Sequence, residues 1–397
     1  MEKRCDFLVI GGGIIGLSLG RELLRTQSKA RVIVLEKESS PGVHASGRNS
    51  GVLHAGFYYS PDSLKARFCL EGNYALRSLI KEYRIPINEC GKVVVANTEE
   101  DLERLDILFE RGSDNGVALL RGKASDLQNF EPMASTHKEF LWSRNTAVSD
   151  PLAVTQLIAQ LFINLGGEIQ YNSHAKVLES GLVDSGTDLI RADRIINAAG
   201  TNAIHIAHKL DVGKKYSQLP VLGLYKYCDN EVLPLRTLVY PVPNPKNPFL
   251  GVHFTLTVDH KVKIGPTAIP ILGREQYNLA GKLDLQDVIS SSKSIGSLFQ
   301  ESPFALANLA YSELSKVSTR KLIRDGKRLV PSISHAMKWK KKRAGIRAQL
   351  VNLETQSFEM DFVIESKGNV VHVLNAVSPG WTSAIPFATH IVKNHIL

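Results

Sequence analysis

The chemistry-bearing residues of this 397-residue chain begin at its eleventh position. Gly11, Gly12, Gly13, Ile14, Ile15 and Gly16 follow the apolar run DFLVI (6–10) and open the helix-like stretch LSLGRELLR. A second apolar run, RVIVL (31–35), then ends in Glu36, twenty positions beyond Gly16. Each part has a physical use. Gly11 permits the tight turn, Gly13 lets a pyrophosphate approach the backbone, and Gly16 lets helix and strand pack closely. The helix N-terminus offers free N–H groups and a positive dipole end to phosphates, and Glu36 can accept hydrogen bonds from ribose hydroxyls. The glycine pattern alone would equally suit a structural turn. The order strand, glycines, helix, strand, acid makes it a dinucleotide site, without choosing between NAD and FAD.

The segment after Glu36, KESSPGVHASGRNSGVLHAGFYYS (37–60), is dense in Gly, Ser, Asn and His. A nicotinamide domain would resume strand and helix here, whereas small residues suit a loop passing under a large planar ring such as a flavin. An ordinary surface loop is the bland alternative. Two distant segments repeat the logic of a strand feeding small residues: RIINAAG (194–200), and VHVLNA (371–376) followed by VSPGWTS and the helix-like tail IPFATHIVKNHIL. The nucleotide fold is therefore expected to be assembled from the start, middle and end of the chain.

On these blocks the chain resembles the L-2-hydroxyglutarate oxidase/dehydrogenase family of the D-amino-acid-oxidase-like FAD-dependent oxidoreductases. The resemblance rests on HASGRNSGVLHAGFYYSPDSLKARFCLEGN (44–73), YPVPNPKNPFLGVHFT (240–255), IGPTAI (264–269), AGIRAQ (344–349) and NAVSPGWTSAIPFATHIV (375–392), and it spans essentially the whole chain. It implies an FAD enzyme oxidising an L-2-hydroxy acid, L-2-hydroxyglutarate above all, to the 2-oxo acid, with oxygen or a quinone as electron acceptor. The cofactor contacts it implies are Gly11, Gly13, Ile15, Gly16, Glu36, Lys37, Ser46, Gly47, Asn49, Ser50, His54, Val177, Ala199, Gly200, Ser378, Gly380, Thr382 and Ser383. An amino-acid or amine oxidase on the same scaffold, or a flavin-binding protein that no longer turns over, are the alternatives.

Oxidation of a hydroxy acid needs a proton acceptor, a cation for the carboxylate and a hydride aimed at the flavin. Histidine titrates near neutral pH, and of twelve histidines two lie in the resembling blocks. His253, sharing a strand face with Gly251 and Thr255, is the candidate base or substrate ligand, with a packing role as the alternative. His54 is expected beside the flavin ring, and covalent attachment there is a minor alternative. Arg347 is the candidate carboxylate clamp, because guanidinium binds carboxylates in a bidentate manner; a surface ion pair is its bland reading. Tyr59 and Tyr240 are candidate hydroxyl donors to substrate, or core aromatics.

The sequence departs from the family at Leu222 and Leu224, where an arginine and an acid are usual. It departs again at Leu256-Thr257 after the HFT block, at Gly265-Pro266-Thr267-Ala268, and at Arg48 in place of histidine. Loss of pocket cations would weaken the case for a dicarboxylate, unless Lys226 or Arg48 compensates.

The elements that must position these residues predict an α/β protein, α+β overall: a Rossmann-like FAD-binding domain interleaved with a mixed-sheet substrate domain. The first comprises 1–88, 143–216 and 343–397; the second comprises 89–142 and 217–342. TEEDLERLDILFERGSDNG (98–116) reads as an amphipathic helix with a glycine stop. KVVVAN, TLVYPV, LGVHFTLTV and KVKIGP read as strands roofing the flavin. LDLQDVISSSKSIGSLFQ and NLAYSELSKV read as helices.

Composition is that of a folded globular chain, 43% hydrophobic and 22% charged, which argues against disorder. Four cysteines without CxxC spacing argue against zinc and fit a reducing compartment. No apolar run is long enough to span a membrane, and the glycines after Lys3 and Arg4 argue against a cleaved leader. The expectation is a cytoplasmic protein, at most peripheral to a membrane. Of the net +9 charge, one cluster at 338–343 (KWKKKR) suits an anionic membrane surface or a solvated loop equally. Nucleic acid ranks last, since no binding module is recognisable.

Overall fold

The fully buried apolar runs form a parallel sheet. In the computed structural model, which describes residues 2–179, 181–244, 249–281, 283–301 and 303–397, the Glu2–Ile10 strand lies between Val32–Leu35 and Leu189–Asn197, parallel to both. Glu168–Gln170 extends the sheet beyond Val32–Leu35, and Val370–Asn375 extends it beyond Leu189–Asn197. Segments distant in sequence thus meet in one sheet, as strands buried on both faces require. The Ile14–Thr26 helix packs against Pro151–Asn164 and the C-terminal Ala384–Ile391, burying Leu17, Leu23, Ile158, Phe387 and their neighbours in one apolar cluster.

A second, eight-stranded sheet carries the roof. Its order is Lys340–Lys341, Lys226–Asp229, Lys261–Gly265, His253–Leu256, Leu238–Pro241, Lys92–Val95, Glu139–Ser143 and Leu119–Lys123. Only the Leu238–Pro241 and Lys92–Val95 pair is parallel. A four-stranded sheet, Ile269–Pro270, Tyr216–Gly223, Gly345–Asn352 and Ser357–Phe358, stands beside it. A three-stranded one, Val52–Leu53, Ala147–Ser149 and Ile87–Asn88, joins chain segments on either side of the first roof insertion. The Glu99–Asp114 helix starts on Thr98, whose hydroxyl accepts from Asp101 N at 3.3 Å, and stops before Gly116 at φ +69°. The helices Leu285–Glu301 and Pro303–Ser315 cover the expected stretches.

Two details depart from the sequence reading. Residues 343–397 do not act as one nucleotide-binding piece: Gly345–Asn352 pairs along its length with Tyr216–Gly223, while Val370–Asn375 joins the parallel sheet. Strand partners at that distance are set by tertiary packing, which local pattern does not encode. In the basic run, Trp339 turns inward against the roof core and donates its indole N–H to Ser334 O at 2.9 Å. Lys342 reaches Asp259 at 3.3 Å and the face of Tyr227. Lys338, Lys340, Lys341 and Arg343 are exposed. Part of the 240–255 block, residues 245–248, lies outside the described residues.

Candidate active site

A cavity of about 1570 Å³ runs from the glycine turn to the underside of the roof. That exceeds the roughly 300–1,000 Å³ typical of a single-ligand cleft, and leaves room for a dinucleotide and a small acid together.

At the nucleotide end the glycines act as contact surfaces. A Cβ on Gly11, whose φ is +113°, would lie 2.5 Å from Ala198 O, so the turn touches the end of the RIINAAG strand. A Cβ on Gly16 would lie 2.0 Å from Gly11 O; only glycine lets the helix start this close to the strand. Glu36 is 7% exposed. Its Oε2 accepts from Gly12 N at 2.7 Å and its Oε1 from Glu38 N at 2.9 Å, which fixes the carboxylate at the cavity wall with lone pairs to spare. Ser46 Oγ accepts from Ile14 N at 2.9 Å and so ties the Gly/Ser loop to the helix N-terminus.

Gly11, Gly13, Ile15, Glu36, Lys37, Ser46, Asn49, Ser50, His54, Val177, Ala199, Gly200, Ser378, Gly380 and Thr382 all line the cavity. Gly16, Gly47 and Ser383 do not, and their expected cofactor contacts are corrected accordingly. Gly16 is a packing glycine. Gly47 fits a turn where a Cβ would meet Gly42 O at 2.4 Å. Ser383 is fully buried behind the wall. Asn49 and Thr382 spend their side chains on the scaffold. Asn49 Nδ2 donates to Ser46 O and its Oδ1 accepts from Gly51 N, while Thr382 Oγ1 donates to Val52 O and accepts from His54 N. Lys37 is paired with Glu38 and Glu275.

At the roof end Tyr59, Tyr240, His253 and Arg347 line the same cavity. His253 is 5% exposed, and its Nδ1 faces Gly251 O at 2.8 Å. A carbonyl only accepts, so Nδ1 carries the hydrogen and Nε2 keeps a lone pair. Burial, then the charges of Lys92, Lys263 and Arg347, push His253 down to about 3. His54, open only to the cavity, is pushed to about 3 by burial and by Lys92, His253 and Arg347. Both rings are neutral at pH 7.

The Arg347 guanidinium has no hydrogen bond or ion pair among the described residues; it lies 5.6 Å from the Phe249 ring, and burial holds its proton affinity below the ordinary value. A cavity-facing guanidinium without a protein acceptor is a site for an anion. A second such cation, Lys65, was not singled out in the sequence. It is 5% exposed, lines the cavity and has no ion pair among the described residues. Burial lowers it to about 8, Asp361 opposing and Arg347 adding to the effect. Asp361 is committed elsewhere, accepting from Leu64 N and Lys65 N at the start of the Leu64–Glu82 helix. Lys92 and Lys263, both buried, were also missed. Only the SLKAR position of Lys65, one residue into a capped helix, hinted at an inward cation.

Of the family departures, Arg48, Pro266, Thr267 and Ala268 line the cavity, while Leu222, Leu224, Leu256 and Thr257 do not. Val221 and Gly223 line it, so Leu222, on the opposite face of that strand, sits in an apolar cluster with Ile269, Ile271 and Ile346. Leu256 is in the roof core. Lys226 does not line the cavity. Arg48 does, but spends its guanidinium on Val43 O at 2.7 Å, Ala344 O at 3.3 Å and the Tyr277 face at 4.0 Å. Leu222 and Leu256 therefore occupy no place on the cavity wall, and neither Lys226, off that wall, nor Arg48, engaged with backbone carbonyls, offers the pocket a free charge in their stead.

A parallel dinucleotide-binding sheet opening into a roofed cavity with a neutral histidine defines a redox flavoprotein of two interleaved parts. The family model for FAD dependent oxidoreductases (DAO) matches residues 6–393, and the chain belongs to that family. Its cofactor is FAD, which the glycine cradle, the Glu36 carboxylate and the cavity volume fit. Over 98% of its length the chain is 33% identical to L-2-hydroxyglutarate dehydrogenase of Escherichia coli (strain K12), covering 92% of that protein. It is 31% identical to the mitochondrial L-2-hydroxyglutarate dehydrogenase of Caenorhabditis elegans over 98% of this chain and 93% of that one. Among solved structures, dithionite-reduced L-alpha-glycerophosphate oxidase from Mycoplasma pneumoniae with FAD bound superposes with a TM-score of 0.76 at 22% identity, covering 98% of this chain and 94% of that one. Glycine oxidase from Geobacillus kaustophilus gives 0.74 at 17% identity, with the same coverages. These two likenesses concern the fold.

Proposed function

We propose that the protein oxidises the hydroxyl-bearing carbon of an L-2-hydroxy acid, with L-2-hydroxyglutarate as substrate and 2-oxoglutarate as product. The observation that carries this reading is the pair of unpaired cavity cations, Arg347 and Lys65, in the same cavity as a neutral His253. A dicarboxylate offers each cation a partner and relieves two buried, uncompensated charges. The curated relatives named above support the same substrate.

In this mechanism Arg347 grips one carboxylate and Lys65 the other, which orients the hydroxyl-bearing carbon. His253 Nε2 takes the hydroxyl proton, its acceptor state fixed by the Nδ1–H bond to Gly251. Tyr59 and Tyr240, both on the cavity wall, flank the site as hydroxyl donors. FAD, when bound, would supply the acceptor for the hydride leaving carbon 2, with oxygen or a quinone as the final electron acceptor.

An anaerobic panel of 2-hydroxy acids and amino acids, scored by flavin bleaching, tests the reading. Bleaching by L-2-hydroxyglutarate supports it; bleaching by amino acids alone replaces it with an amino-acid oxidase. The proposed setting is the cytoplasm. The exposed Lys338, Lys340 and Lys341 support contact with an anionic membrane face. Salt-sensitive sedimentation with anionic vesicles checks that contact, and its absence with such vesicles removes it.

A further inference from the structure

Behind the cavity wall lies a lysine with no ordinary partner. Lys92, on the Lys92–Val95 strand, is 0% exposed, and its Nζ has no hydrogen-bond acceptor. Three aromatic rings surround it: Tyr58 at 4.4 Å, Phe57 at 4.5 Å and Tyr240 at 4.8 Å from Nζ to centroid. Phe57 and Tyr58 stack on one another at 4.4 Å. The other neighbour of Tyr240 is His253, with ring centroids 4.0 Å apart. Tyr240 is thus the shared neighbour of the His253 imidazole and the Lys92 ammonium.

An amine sealed among ring faces is a poor packing solution, since an apolar side chain of similar length fills the space without desolvating a charge. Ring faces are the surfaces that tolerate a cation in the absence of an acceptor. Burial nevertheless brings Lys92 down to about 7.

We propose that Lys92 is a positioning residue of the redox site, its charge acting through Tyr240 to keep the His253 imidazole unprotonated and so able to accept the substrate proton. This rests on the reading of His253 as that acceptor. The groups facing His253 are Lys92, Lys263 and Arg347, with Tyr240 against its ring and His54 across the cavity. Lys263 donates to Ser50 O and Arg347 faces the substrate space, which leaves Lys92 as the cation of the three with neither a bonding partner nor a place on the cavity wall. The titratable groups that face Lys92 are Tyr58, Tyr240, Cys69, His54 and His253; burial keeps the two phenols and the thiol protonated well above neutral pH. A cation near a base disfavours the charged form of that base. It therefore adds to burial in keeping the imidazole free before substrate binds, and favours release of the proton afterwards.

The test is the pH profile of kcat/KM in the FAD-loaded enzyme for Lys92→Met, Lys92→Gln and Lys92→Arg. Removing the charge raises the proton affinity of His253, so the acid limb of whichever neutral variant retains flavin moves up by about one pH unit. Lys92→Arg keeps the limb near its wild-type position. A limb unmoved in a neutral variant overturns the proposal, as does Lys92→Arg moving it as far as Lys92→Met. The same profile for His253→Gln separates the two readings: if it keeps the wild-type acid limb, His253 is not the acceptor and the fault lies with the mechanism.

Discussion

His253 Nδ1 donates to the Gly251 carbonyl oxygen at 2.8 Å, and that bond settles which nitrogen of the histidine is free. Gly251 lies two positions before His253, just ahead of the His253–Leu256 strand and not on its face as expected, so the backbone leading into the strand also fixes the tautomer of the ring. Nε2 is left as an acceptor with no partner among the described residues. Catalysis by this protein turns on whether that nitrogen takes the hydroxyl proton.

Replacing His253 by Ala is expected to slow flavin reduction by about 10²–10⁴-fold, the usual contribution of a positioned base. Flavin content should stay near wild type, because the glycine cradle is distant in the fold. Stopped-flow reduction of the FAD-loaded variant checks this, and a near-normal rate removes His253 from the chemistry.

Lys65→Met and Arg347→Leu are expected to differ in what they lose. Arg347→Leu should depress kcat/KM for every 2-hydroxy acid by about 10–100-fold, as loss of a charge-assisted contact implies. Lys65→Met should fall most with a dicarboxylate, lowering the preference for L-2-hydroxyglutarate over L-2-hydroxybutyrate by a similar factor. Paired steady-state kinetics on the two acids read the difference.

Gly16→Ala is expected to yield a protein poor in flavin. The added methyl would lie 2.0 Å from Gly11 O, backbone that cannot yield without opening the phosphate turn. Overpacking of this kind costs about 1–3 kcal/mol. The checks are the flavin-to-protein absorbance ratio and the unfolding midpoint. A fully yellow variant of unchanged stability contradicts the close packing.

Stability of the FAD-free protein should rise with pH. His54 and His253 have an ordinary value of 6.5 and are lowered to about 3 on folding, so between those values the unfolded chain binds more protons. Their contribution is therefore present above pH 6.5 and is lost as pH falls towards 3. Lys92 and Lys263, lowered from 10.5 to about 7, add a further rise above pH 7. Above pH 9 the buried thiols oppose it, since Cys5, Cys69 and Cys90 are pushed up to about 12 from 9.0. Denaturant midpoints recorded from pH 4 to 10 should climb to a maximum near pH 9; a maximum near pH 5 contradicts the buried neutral bases.

The glycine turn, Glu36 and the three separated sheet segments were legible because they are local demands: a positive φ, a close backbone approach, an apolar run. His253 and Arg347 were legible only through the blocks around them. Lys65 and Lys92 were not, because whether a lysine is sealed among rings or waves in solvent depends on chain segments remote in sequence. KVVVAN reads as a strand, and only the meeting of 57–58, 92 and 240 shows where its lysine lies. Leu222 was misread for the same reason: the residue type is visible in sequence, but the face of the strand it occupies is not. Trp339, in a basic run that suited a membrane surface or a solvated loop equally, packs against the roof core.

The most direct measurement is an anaerobic titration of the FAD-loaded protein with L-2-hydroxyglutarate, following flavin absorbance and product together. The account predicts complete bleaching at one equivalent, with one equivalent of 2-oxoglutarate formed. A flavin that stays oxidised under L-2-hydroxyglutarate yet bleaches with an amino acid, releasing ammonia, would contradict it.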